Sequence, residues 1–290
     1  MTERIKPLGK LTNMKTSLAI VALAFGTAAL GPGAAAQPAA VQMQPTYADL
    51  ADSADGTPLV LRAEIRKQIA LKPERAPDVP PGMVRLYIEA RTIALLSGNT
   101  PVGESLKYLV DVPLTAKGKV PKLKKQEFIL FARPVAGRPG EIQLIAPSSQ
   151  LAWSPETEQR LRGVLTELLS ADAPPAISGI RDAFSIAGNL AGESETQIFV
   201  STKADGPVSL TVIRRPGQSP MWGVSWSEIV DQAARPPQPG TLAWYRLACF
   251  LPDALPRSAI LSQDRVSLQR AAEDYGYIRS QLGPCPRNRS

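Results

Sequence analysis

The chain has 290 residues, no histidine, two cysteines and a net charge of +7, from 33 basic and 26 acidic side chains. Without an imidazole, Ser-His-Asp and Cys-His catalysis and histidine-ligated metal sites are excluded. Proline (28) and glycine (21) are abundant, yet stay together below the roughly 25–30% of low-complexity chains, so a folded protein rich in turns is expected.

The N-terminal region sets the expected compartment. Lys15 precedes an uncharged run from Leu18 to Leu30, followed by Gly31-Pro32-Gly33 and Ala34-Ala35-Ala36. A positive start, an apolar core, a helix-breaking turn and small residues form the order of a secretory signal peptide. The run has 13 residues, against about 20 for a membrane span. The reading is therefore a signal peptide over 1–36 cut after Ala36, with Met14 as an alternative start. A flexible Ala/Gln/Pro-rich tail over 37–45 follows, and no transmembrane span remains after cleavage. No cysteine lies near the cut, which argues against a lipid anchor. The leader holds four basic groups and one acid, leaving 29 against 25, a net +4, on the mature chain.

A helix is predicted over Tyr47 to Ala54, with Thr46 as its N-cap and Asp55-Gly56-Thr57-Pro58 as its stop. Five strands follow. Leu59 to Ile69 and Met83 to Leu96 alternate apolar and polar residues and are joined by a Pro-rich loop from Pro77 to Gly82. Ser105 to Val112 is third, Glu127 to Arg133 is apolar enough for burial on both faces, and Glu141 to Ile145 is fifth. Five strands after a short helix fit an OB-like barrel, and an open antiparallel sheet fits the same count. Ser154-Pro155 then opens a helix to about Ser170, with Leu161, Val164, Leu165 and Leu168 on one face. A module over 46–170 is thus expected, then a linker at 171–176 containing Pro174-Pro175.

The remainder, 177–290, reads as a smaller α+β module with a three-stranded meander. Gln197 to Thr202 and Val208 to Arg214 flank Asp205-Gly206, a hairpin signal, and Trp222 to Trp226 is the third strand. Helices are predicted around Leu242 to Leu251 and from about Ser262 to Leu282. Cys249 and Cys285 lie 36 positions apart. An even pair in an exported chain predicts one disulfide, worth about 3–4 kcal/mol for a loop of that length.

Four constellations carry candidate chemistry. Lys117, Lys119, Lys122, Lys124 and Lys125 form an anion-binding candidate for lipid head groups, a cell-wall polymer or nucleic acid; their structural role would be a solvated loop that deters edge pairing. Nucleic acid is the weakest of these, because export removes it and no aromatic residue interleaves. Asp49, Asp52 and Asp55-Gly56 have the wrong spacing for a calcium loop and read as an exposed helix face. Glu193 and Glu195, with Glu228 and Asp231, are candidate carboxylates for glycoside chemistry. Trp222 and Trp226 share a strand face, either as a sugar platform or as core beneath Trp244-Tyr245. Serine-lysine, nucleophile-elbow, dinucleotide and Walker motifs are absent, and no cofactor or metal is predicted.

Tyr47-Ala48-Asp49-Leu50, Tyr108-Leu109-Val110-Asp111-Val112-Pro113, Pro121-Lys122-Leu123-Lys124-Lys125 and Trp222-Gly223-Val224-Ser225-Trp226-Ser227-Glu228 carry a resemblance. The chain resembles the uncharacterised secreted proteins of sphingomonad-type alphaproteobacteria over nearly all of its mature length. The resemblance implies a Gram-negative periplasmic or secreted location and brings no activity or site residue with it. The expectation is an exported protein with a non-catalytic recognition or envelope-support role, its partner an anionic envelope component or another periplasmic protein. The alternative is a carboxylate-dependent hydrolase of cell-wall glycan, with Glu193 or Glu195 in a cleft near Trp222 or Trp226.

Overall fold

The computed structural model describes residues 44–204, 206–227 and 234–289. The expected leader, most of the tail, Asp205 of the hairpin turn, and Glu228 and Asp231 lie outside the described residues.

Helix α1 (Tyr47–Ala54) begins where the sequence places it. Thr46 Oγ1 accepts from the Asp49 N–H at 3.1 Å, and the Asp49 carboxylate accepts from the Thr46 N–H at 2.7 Å. This reciprocal capping box satisfies two otherwise orphaned donors. Six antiparallel strands follow: β1 (Leu59–Ala70), β2 (Met83–Ser97), β3 (Ser105–Pro113), β4 (Glu127–Pro134), β5 (Ile142–Leu144) and β6 (Gln150–Ala152). Their order is β3-β2-β1-β4-β5, with β6 also on β4. The first five match the predicted runs. The sixth is a correction to the expected count: at three residues it has too little sequence to show a period.

Alternation explains how this sheet serves two cores. Leu59, Leu61, Ala63 and Ile65 of β1 point with Phe128, Leu130 and Ala132 of β4 into an interior shared with Leu86, Ile88, Leu106, Tyr108 and Val110. Their neighbours Val60, Ile129 and Phe131 point the other way, into a second cluster. The near-continuous apolar run of β4 follows from burial on both faces. Sheet edges β3 and β5 touch through a parallel bridge between Lys107 and Glu141, so the sheet curls without forming a closed barrel.

Helix α2 (Pro155–Leu168) is capped by Ser154 with proline at its first turn. The second sheet has four antiparallel strands in the order β10-β9-β8-β7: β7 (Ile177–Ala187), β8 (Ser194–Thr202), β9 (Val208–Arg214) and β10 (Met221–Ser225). The expected three-stranded meander lacks β7, because register shifts after Ile177 and Ile180 break the alternation that would announce it. Helices α3 (Leu242–Phe250) and α4 (Arg265–Leu282) follow. Helix α4 starts three residues later than predicted, with Asp264 as its cap. The chain is therefore α+β. One apolar cluster draws on both sides of 171–176, joining Leu50, Phe131 and Leu165 to Ile198, Leu210 and Tyr245.

The predicted disulfide between Cys249 and Cys285 is formed. Beyond it, the tail runs back to α1: the Asn288 and Arg289 N–H groups donate to the Asp49 carboxylate at 3.0 and 3.1 Å. Arg287 Nε donates to Asp52 at 2.5 Å, and Arg289 Nη2 donates to Gln150 O at 3.1 Å. Among the described residues no helix is long and apolar enough to cross a membrane.

Candidate functional site

The lysine-bearing segment is the connection from β3 to β4. Residues 112–126 contain no acid. Leu114 N–H donates to Gly82 O, and the chain then turns tightly: Thr115 N–H donates to Lys119 O and Gly118 N–H to Thr115 O, each at 2.8 Å. Gly118 sits at φ 67°, a conformation that any Cβ disfavours.

The returning limb is pinned along β1. Gln68 does this with both ends of its amide, donating to Pro121 O at 2.8 Å and accepting from the Leu123 N–H at 2.6 Å. Leu123 is buried in the interior of the first sheet. Lys125 N–H donates to Ile65 O, and Ile65 N–H donates to Gln126 O. Lys125 is the one non-glycine residue with positive φ, 68°, among those described. That backbone costs about 1–2 kcal/mol, and two bonds to Ile65 hold it there. The backbone is fixed while all five lysine side chains, Lys117, Lys119, Lys122, Lys124 and Lys125, are exposed. The lysine ion pair among the described residues is Lys67 with Glu89, elsewhere on the sheet. Among the described residues, the five ammonium groups of this short loop thus have no ion-pair partner.

Of the three aspartates expected on an exposed helix face, Asp52 and Asp55 are exposed and Asp49 corrects the expectation. Asp49 is buried, as the acceptor for Thr46 and the C-terminal tail, rather than part of an exposed face. Asp52 accepts from Tyr245 Oη at 2.6 Å as well as from Arg287, and Asp55 pairs with buried Arg246 at 2.5 Å. No group of three metal-ligand side chains occurs among the described residues.

Of the carboxylates named for glycan chemistry, the two among the described residues, Glu193 and Glu195, do not meet the tryptophans. Glu193 accepts from the Leu190 N–H at 3.2 Å, closing the β7–β8 turn, and Glu195 accepts from Gln197 Nε2 at 2.6 Å. In register, Glu195 stands opposite Ile213 and then Met221, whereas Thr196 stands opposite Val212 and then Trp222. Glu195 and Trp222 therefore occupy opposite faces of the sheet. Trp222 borders a small cleft with Thr211, Tyr277 and Gln281, and neither glutamate reaches it. Trp222 and Trp226 join the apolar cluster that contains Trp244 and Tyr245, the core reading of that segment.

Two polar features escaped sequence reasoning. Asp274 on α4 is fully buried, accepting from Thr196 Oγ1 at 2.5 Å and Arg214 Nε at 2.6 Å. On the outer face of β2 and β3, Arg85 bridges Asp78 and Asp111 at 2.7–3.0 Å beside the cross-strand pair Tyr87 and Leu109. The alternation of β2 already set Arg85 and Tyr87 on one face. The partner strand and its register were missing from the sequence. No family model matches the chain, and no curated protein is significantly similar to it.

Proposed function

We propose that this is an exported, non-catalytic recognition protein that holds an anionic component of the cell envelope through the 117–125 loop. One observation carries the reading: five lysines stand exposed, with no ion-pair partner among the described residues, on a backbone that Gln68, Leu123 and Ile65 hold in place. A loop ordered before binding loses less entropy on association. Lysine heads are compact, strongly hydrated point charges, suited to a diffuse anionic surface rather than to bidentate recognition of one phosphate.

Export is supported by the signal-like order of 1–36, by the resemblance to secreted alphaproteobacterial proteins and by the disulfide, which belongs to oxidising compartments. The first sheet is read as OB-like. A β1-β2-β3 meander, β4 returning beside β1, and β5 reaching parallel to β3 follow the order of a partly open five-stranded barrel, to which β6 adds a sixth strand.

The test is retention on isolated anionic envelope fractions at low salt, comparing the protein with a variant carrying serine at all five lysine positions. At about 1 kcal/mol for each lysine near an anionic surface, retention should fall at least a hundredfold. Equal retention of the two proteins would refute the assignment.

A further inference from the structure

The outer face of the first sheet carries an apolar strip between two polar rows. Residues paired directly across strands share a face and sit about 5 Å apart. Ile69 of β1 pairs with Tyr87 of β2, and Tyr87 with Leu109 of β3, so these three form one row across the strands. Ile69 and Leu109 are each 47% exposed, unusual for side chains of that size on a sheet. The Tyr87 side chain makes no hydrogen bond, aromatic contact or cation contact among the described residues.

The polar rows flank this strip. On one side Arg85 uses both edges of its guanidinium, donating to Asp111 at 2.7 and 2.8 Å and to Asp78 at 2.9 and 3.0 Å. On the other side Glu89 pairs with Lys67 at 3.2 Å and stands opposite Lys107. Arg85 and Glu89 lie four residues apart on β2, about 13 Å, with Tyr87 midway. The Leu109 end of the strip borders a cleft of about 580 Å³, a size suited to a small-molecule ligand. Ile145, 41% exposed, and Gln143 line the same cleft. Arg133 donates to the Gln143 side-chain oxygen at 2.9 Å, which leaves the Gln143 amide nitrogen without a partner among the described residues.

Charge narrows the ligand. Asp78, Asp111 and Glu141 line the cleft against Arg85, Lys107 and Arg138, so the formal charges sum to zero. Arg85 and Arg138 are already committed to carboxylates, and a charged ligand would have to displace one of these partners. A wholly apolar ligand would strip water from the paired ions and give no hydrogen bond in return. A neutral ligand with an apolar face and a rim of hydroxyls meets neither penalty. Its face covers Tyr87 and Leu109, while its hydroxyls donate to spare lone pairs of Asp78 and Glu141 and accept from Lys107 and Gln143. Pyranose rings have that build, with C–H bonds across the face and hydroxyls around the edge.

We propose that this cleft binds a short neutral oligosaccharide, with one ring lying on Tyr87 and Leu109. Nothing in this proposal depends on the 117–125 loop, whose ligand is anionic and salt-sensitive.

The test titrates three neutral trisaccharides, the trimer of N-acetylglucosamine, cellotriose and maltotriose, into the isotope-labelled full chain and follows backbone amide resonances. Saturable shifts at Tyr87, Leu109 and Gln143 with at least one of them are expected. Tyr87→Ala should weaken that binding about tenfold, whereas Tyr87→Phe, which keeps the ring, should retain it. Gln143→Ala, at an exposed position, should weaken it about threefold, the worth of one hydrogen bond, and reads the same site without touching Tyr87. The affinity should not change between low and high salt, which separates this site from the lysine loop. Absence of saturable shifts up to millimolar concentrations of all three sugars would overturn the proposal. So would unchanged affinity in both Tyr87→Ala and Gln143→Ala, or tighter, salt-dependent binding of the anionic trimer of galacturonic acid at these residues.

Discussion

Helix α1 and the β3–β4 loop each concentrate charge of one sign, and the fold treats them in opposite ways. Asp49, Asp52 and Asp55 all find partners: backbone N–H groups of the C-terminal tail, Arg287, Tyr245 and Arg246. The five lysines find none among the ion pairs of the described residues, although their backbone is as firmly tied. Clustered charge in a sequence thus says little until its partners are known. The aspartates act as a clasp joining the two ends of the described chain. The lysines remain available to something outside it.

This contrast predicts large stability effects where charge is internal and almost none where it is free. Asp274→Ala should have the largest effect. Removing this fully buried carboxylate strands Arg214 and Thr196, at about 3–5 kcal/mol in chemical denaturation. Replacing both Cys249 and Cys285 with serine comes next, at about 3–4 kcal/mol for a closed loop of this length. It should also speed hydrogen exchange at Asn288 and Arg289, whose amides the disulfide holds near Asp49.

Asp49→Asn should cost about 2–3 kcal/mol, since three N–H donors lose a charged acceptor. The same carboxyl gives a pH signature. Burial pushes it upward, but hydrogen bonds from Thr46, Asn288 and Arg289 outweigh that and hold it below its ordinary 3.8. A depressed folded value means stability that is complete above that ordinary value and lost as pH falls through the folded one. Acid titration of the native protein should therefore free the tail amides, and Asp49→Asn should abolish that acid-dependent step. Smallest of all, serine at the five lysine positions should move stability by no more than about 0.5 kcal/mol in either direction. A larger loss would mean that the loop lysines have hidden structural partners.

The sequence made local structure legible and left spatial neighbours obscure. Thr46 and Ser154 announced helix starts because capping is decided within four residues. Strands β1 and β2 were visible through alternation, and β4 through its continuous apolar run. Strand β7 was hidden by its register shifts and β6 by its shortness. Of the candidate site, exposure of the lysines was readable, but the grip of Gln68 on Pro121 and Leu123 spans more than fifty residues and was not. Asp49 was misread for the same reason. Its decisive donors lie at the far end of the chain, and nothing in Tyr47–Ala54 points to them.

The most direct test of the central claim is the salt dependence of retention on anionic envelope fractions, measured for proteins with five, three and none of the loop lysines intact. Steep loss of retention with salt, flattening in step with each lysine removed while thermal stability stays constant, is the predicted result. A salt dependence that is the same for all three proteins would contradict it.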